Sequence, residues 1–203
     1  MEYIVKKIRP AREDGFLVVY IAPAGSPEEQ ERLVLSERAY REGGAPLVGE
    51  VIMQEVYDGF VYSEKSREAL RCALRLLGYS DKSERALTDE LVRRGYEREI
   101  AREACEECVR LGYLKESRAL LRLVEELANR KLRGARRIQA ELAAKGYAPS
   151  AIRETLCALL SSGEINFEES FKALLRKKGV DKIESPIERK QKIQKLAYQY
   201  GFK

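Results

Sequence analysis

The side chains best suited to chemistry in this chain are four cysteines, Cys72, Cys105, Cys108 and Cys157. Cys105-Glu106-Glu107-Cys108 has the CxxC spacing of a zinc or redox pair. A four-ligand zinc site usually draws on a second such pair or on histidines. There is no second pair and no histidine in the chain. Without histidine, Ser-His, Cys-His and His-metal catalysis fall away. A Gly-rich loop of the P-loop or dinucleotide type is also missing. The adjacent carboxylates Asp89-Glu90 and Glu106-Glu107 lie in charge-rich helical stretches and read as solvated surface. The expectation is a binding protein and not an enzyme, with no metal and no cofactor.

What remains is cationic. Arg130, Lys131, Arg133, Arg136 and Arg137 crowd one short stretch, and Lys145 follows one helix later. Such a cluster suits an acidic protein surface or nucleic-acid phosphates. It also suits a solvated surface near helix ends, where the helix dipole favours cations. Arg133 and Arg136 are both expected outside the core, so that reversing them would leave the fold intact. Tyr79, Tyr96, Tyr113 and Tyr147 could stack on bases. Tyr96 and Tyr147 directly follow glycines, however, and fit core packing better. Residues 1–64 hold 7 Lys+Arg against 12 Asp+Glu, and the remainder 31 against 21. The partner of the C-terminal part is therefore expected to be acidic.

The elements that must hold these residues fall into two regions. Charged residues make up 35% of the chain and apolar ones 44%, which suits long solvated helices. Apolar runs are far short of the roughly 20 residues a bilayer span needs. Met1 to Arg9 has no signal-peptide layout. A cytoplasmic protein without membrane contact is expected, with its thiols reduced. In the first region, Glu2–Ile8 and Gly15–Ile21 are rich in β-branched and aromatic residues and read as strands, with Gln30–Leu35 as a third. Ser36 is placed to cap a short helix, Glu37 to Glu42, that ends at Gly43-Gly44. Three strands bury little alone, so this meander should dock on the helices that follow. From Leu47 the period becomes helical. Helices are predicted over Val48–Tyr57, with a break at Asp58-Gly59, and then over Ser66–Leu77, Ser83–Arg94, Arg98–Leu111, Ser117–Lys131, Ala135–Lys145, Ser150–Ser161, Glu168–Lys178 and Ile187–Tyr200. Glycines at 78, 95, 112, 134, 146, 163, 179 and 201 punctuate them as left-handed helix ends would.

The helical region repeats. A shift of 51 residues puts Gly95-Tyr96 on Gly146-Tyr147, Glu90-Leu91 on Glu141-Leu142, Leu87 on Ile138 and Gly112 on Gly163. Two glycines, a Gly-Tyr pair and a Glu-Leu pair at one offset are hard to reach by chance. A weaker third copy lies 55 residues further on, where Gly201-Phe202 answers Gly146-Tyr147. The same alignment puts Cys105 on Leu156 and Cys108 on Leu159, on an apolar helix stripe, so both thiols are expected to be buried. The expected fold is mainly α: tandem three-helix repeats in an elongated array, preceded by a small antiparallel β-containing segment. Residues 1–63 form the β-rich region, 64–114 the first repeat, 115–165 the second and 166–203 a third that ends after its second helix. Without a covering helix, Ile193, Leu196 and Phe202 are expected to lie partly uncovered, on a mobile end, unless Ile165, Phe167 and Phe171 wrap over them.

The stretch from Glu116 to Tyr147 resembles the RecX family. It carries Glu116-Ser117-Arg118-Ala119-Leu120-Leu121, then Arg130-Lys131-Leu132-Arg133-Gly134-Ala135-Arg136-Arg137-Ile138, then Glu141-Leu142-Ala143-Ala144-Lys145-Gly146-Tyr147. The first repeat matches the family pattern as well, through Arg94-Gly95-Tyr96 and Gly112-Tyr113-Leu114, and the β-rich start at Ile4 to Ile8 resembles that of longer members. Leu120-Leu121 stands where the family often has Phe-Ala. The resemblance implies a regulator of the RecA recombinase, in the main an inhibitor. Such a protein lies along the groove of the RecA filament on single-stranded DNA and modulates ATPase, strand exchange and coprotease activity. It implies a monomer whose contact with bare DNA is weak. The alternative is a direct DNA-binding protein built from helix-turn-helix-like units.

Overall fold

The computed structural model describes residues 1–203. The chain divides into two compact units, Met1–Leu74 with Leu91–Glu107, and Arg75–Glu90 with Cys108–Lys203.

The first unit is built on an antiparallel sheet. Strands β1 (Glu2–Pro10), β2 (Phe16–Pro23) and β3 (Glu31–Ser36) form the predicted meander, followed by α1 (Glu37–Glu42). Ser36 caps α1 as expected, its side chain accepting from the Ala39 amide. A fourth strand, β4 (Val51–Met53), pairs with the free edge of β1, giving the order β3-β2-β1-β4. This corrects the helix predicted over Val48–Tyr57. Val51 and Ile52 are β-branched, and β1 offers them a ladder, with Tyr3 opposite Ile52. Helix α2 starts at Gln54 and runs unbroken to Tyr79, through both Gly59 and Gly78. A mid-helix glycine costs only about 1 kcal/mol against alanine, so Gly59 weakens the helix without ending it.

Alternation sets the sheet's inner face. Val19 and Ile21 on β2, and Leu33 and Leu35 on β3, point to one side and join Tyr3, Val5, Tyr40, Ile52 and Phe60 in a buried cluster. A register shift between Val5 and Lys7 re-aims β1, so that Ile8 also packs against this core. Tyr57 of α2 stacks on Tyr3 with ring centroids 3.8 Å apart. The meander thus docks on the following helix, as its small size requires.

The predicted Ser66–Leu77 is only the latter half of α2, but from there on the helices match the predicted spans closely. After α2 come α3 (Glu84–Arg93), α4 (Arg98–Arg110), α5 (Glu116–Glu125), α6 (Ala135–Ala144), α7 (Pro149–Ser162), α8 (Phe167–Lys177) and α9 (Pro186–Tyr200). Gly95, Gly112, Gly146, Gly163, Gly179 and Gly201 take positive φ, but Gly78, inside α2, and Gly134 do not. Gly134 is the N-cap of α6, with φ −79°, so it opens a helix instead of closing one. In the second unit, α5, α6 and α7 enclose one core around Leu120, Val124, Ile138, Leu142, Tyr147, Ile152 and Leu156. Cys105 and Cys108 are both buried, as their alignment with Leu156 and Leu159 predicts.

At the chain's end Ile193 and Phe202 are partly exposed, as expected, but Leu196 is buried, and the aromatic cover foreseen from α8 forms. Leu196 and Ala197 are buried, and Phe202 packs against Phe167 and Phe171, with ring centroids 6.3 and 4.8 Å away. Both aromatic side chains come from α8, at its first residue and one turn on. No helix in the structure is long and apolar enough to cross a membrane.

Candidate partner-binding surface

The cationic corner is shaped by an irregular helix end. The last turn of α5 widens into a π-helical turn, Glu126–Arg130, in which the Lys131 amide donates to the Glu126 carbonyl at 3.0 Å. Leu132 then takes a left-handed conformation, φ 54°, and the chain turns into α6. The widened turn keeps Leu127 and Ala128 in the core while Arg130 and Lys131 face solvent.

The six candidate cations separate once placed. Arg130 is exposed and lines a shallow cleft beside Glu125, Glu126 and Asn129. Lys131 pairs with Glu126 at 3.0 Å and holds that carboxyl below its usual range through a hydrogen bond. Arg133 is half-buried: it lies 3.5 Å from Glu141 and its guanidinium covers the Tyr200 ring at 4.9 Å. The expectation that Arg133 stands outside the core therefore needs correction, because α9 reaches back to cover it. Arg136 and Arg137 are exposed, with Arg137 bonded to Glu141 at 2.7 Å. Lys145 is exposed and lies at the opposite end of α6 from the corner.

Sequence reasoning missed the neighbours that α9 brings. Arg136 and Arg137 line one cleft with Lys195, Tyr198 and Lys203. Tyr198 is 80% exposed there, an aromatic face between cations. The repeat carried a signal for this meeting, since Gly201 answers Gly146 and so must sit at the corner that Gly146 occupies one repeat earlier. Of the other tyrosines, Tyr147 is buried, and burial pushes its hydroxyl above the usual phenol range. Tyr79 and Tyr113 are exposed.

One contact occurs twice and fixes this surface. At Gly146 (φ 89°) a Cβ would come within 2.7 Å of Ser83 Oγ, at the start of α3. Ser83 donates to the Lys145 carbonyl at 2.8 Å. One repeat on, Gly201 (φ 80°) sits against the start of α6, where a Cβ would overlap the Arg137 backbone. Gly134 takes the place of Ser83, and its amide donates to the Tyr200 carbonyl at 2.8 Å. The Arg136 amide donates to the Gly201 carbonyl at 3.2 Å. The paired positions, 83 with 134 and 145 with 200, are 51 and 55 residues apart, the two offsets of the repeat. In the second joint the open carbonyl end of α9 meets the open amide end of α6, and each satisfies groups the other helix leaves unpaired. It also accounts for arginines in the first turn of α6, where a lone helix would favour acids: they lie beside the negative end of α9.

Residues 69–108 match the family model described as RecX, first three-helix domain. The fold is similar to a crystal structure of regulatory protein RecX, with a TM-score of 0.74 and 17% identity, over 99% of this chain and 95% of that one. It is also similar to RecX from Lactobacillus salivarius, with a TM-score of 0.60 and 17% identity, over 68% of this chain and 89% of the other. The curated proteins contain no match to the chain.

Proposed function

We propose, for a chain that has the RecX fold and carries a RecX first three-helix domain, that it regulates the RecA recombinase by binding and without catalysis of its own. It lies along the groove of the RecA filament on single-stranded DNA and lowers ATPase, strand exchange and coprotease activity. The likeness to a regulatory RecX over 99% of the chain is the observation that carries this reading. The twice-used joint supports it mechanically. Modules fixed by the same contact present their surfaces at regular intervals, which suits a partner that is itself a repeating array, and modest contacts then add.

Arg136, Arg137, Lys195 and Lys203 form the filament-facing patch, with Arg130 and Lys131 adding charge from the preceding turn and Lys145 from the far end of α6. The double substitution Arg136→Glu with Lys195→Glu is expected to weaken co-sedimentation with RecA filaments about tenfold at low salt. The loss should shrink as salt rises, because screening weakens the wild-type contact as well. Unchanged affinity at low salt would make this patch ordinary solvated surface.

A further inference from the structure

The N-terminal 64 residues carry more acid than base, yet the fold gathers three of their arginines with two from the next turns of α2. One cleft of the first unit is lined by Arg9, Arg12, Arg32, Arg67 and Arg71, which come from β1, the β1–β2 turn, β3 and α2. Glu13 is the one carboxylate in that lining, and it pairs with Arg67 at 3.4 Å. Glu64, close by, accepts from the Val34 amide at 2.9 Å. Two of the guanidiniums are held by aromatic rings. Arg67, whose side chain is only 15% exposed, lies 5.4 Å from the Phe16 ring centroid. Arg9 lies 5.4 Å from that of Tyr20 and donates to its hydroxyl at 2.7 Å. The side chains of Arg12, Arg32 and Arg71 are exposed and make no hydrogen bond or ion pair, although Arg32 lies near enough to act on the Glu64 carboxylate.

Like charges gathered this way repel, and Glu13 and Glu64, the latter acting on Arg67 and Arg32, are two carboxylates against five guanidiniums. The missing counter-charge is an anion with several separated negative groups. Guanidiniums fixed by ring stacking present planar donor forks that match phosphate oxygens in pairs. The cleft, about 510 Å³, has the volume of a small-ligand site, enough for a short stretch of one sugar-phosphate backbone. We propose that this cleft holds the phosphodiester backbone of a single-stranded nucleic acid. The proposal deepens the filament reading and rests on it only for its biological setting, because it names where a strand is held on this chain.

The test uses the full chain and a fluorescent single-stranded oligonucleotide, without recombinase, so that its outcome stands apart from any effect on RecA. Arg12→Gln, Arg32→Gln and Arg71→Gln are combined, because none of these side chains supports the fold. Anisotropy should show binding by the wild type at low salt and about tenfold weaker binding by the triple variant. The slope of log affinity against log salt should flatten by about 2, the effect of three lost phosphate contacts on a single strand. A thermal melt matching the wild type shows that the loss is local. Should the melt fall, Arg71→Gln alone must still weaken binding and flatten the slope. Equal affinity and slope in the folded variant overturn the proposal. Displacement of the oligonucleotide by polyglutamate of equal charge at equal concentration would overturn it in favour of an acidic protein segment.

Discussion

Replacing Gly201 with alanine is expected to destabilise the protein by about 3 kcal/mol, lowering its melting temperature by about 6–12 °C. Two effects add at this position. The residue holds φ 80°, where a Cβ costs about 1–2 kcal/mol. The new methyl group also overlaps the Arg137 backbone, and backbone cannot rotate away as a side-chain tip can. Two further variants separate these contributions. Gly163 has φ 78° but open space around its Cβ, so Gly163→Ala should show the conformational cost alone. Gly134 has φ −79°, which alanine adopts freely, but its Cβ would overlap the Gly201 carbonyl. Gly134→Ala should therefore show the steric cost alone, and amide exchange along α9 should speed up with it. If Gly134→Ala and Gly201→Ala cost no more than Gly163→Ala in a thermal melt, the joint does not hold α9 in place.

The charge reversal Arg133→Glu should cost about 2–3 kcal/mol, whereas Arg136→Glu should stay within about 0.5 kcal/mol of wild type. Arg133 covers the Tyr200 ring, a contact worth about 1 kcal/mol at a half-buried site. A carboxylate in its place would lie near Glu141, exchanging an attraction for a repulsion. Arg136 points to solvent, and at its position the ends of α6 and α9 act on a charge in opposite senses. Reversing both residues to probe binding would confuse unfolding with lost contact. That is why Lys195 replaces Arg133 as the partner of Arg136 in the binding test. Urea denaturation of the two single variants checks the claim, and equal stability would place Arg133 among the solvated cations.

Much of the helical architecture was legible because glycines mark it. Left-handed ends at Gly95, Gly146 and Gly201 break the pattern where the structure does, and the 51-residue offset aligns Cys105 and Cys108 with buried leucines. Strand β4 was not legible. Three residues have too little pattern of their own, and Val51–Met53 is a strand only because β1 offers an edge. Gly134 was misread as a helix end because its role depends on Gly201, far along the chain. The basic corner was visible as a cluster, but its division was not. Whether an arginine is solvated or set over a ring depends on where Tyr200 lands, and the local sequence around Arg133 holds no trace of that. The arginine cleft of the first unit was invisible for a related reason. Its five members are spread from position 9 to position 71, among enough acids to make that stretch net negative.

The account turns on whether this chain acts on RecA. The direct measurement is the rate of ATP hydrolysis by RecA on single-stranded DNA as the protein is added. The proposal predicts a falling rate at amounts well below one per recombinase protomer. An unchanged rate at a one-to-one ratio would contradict it.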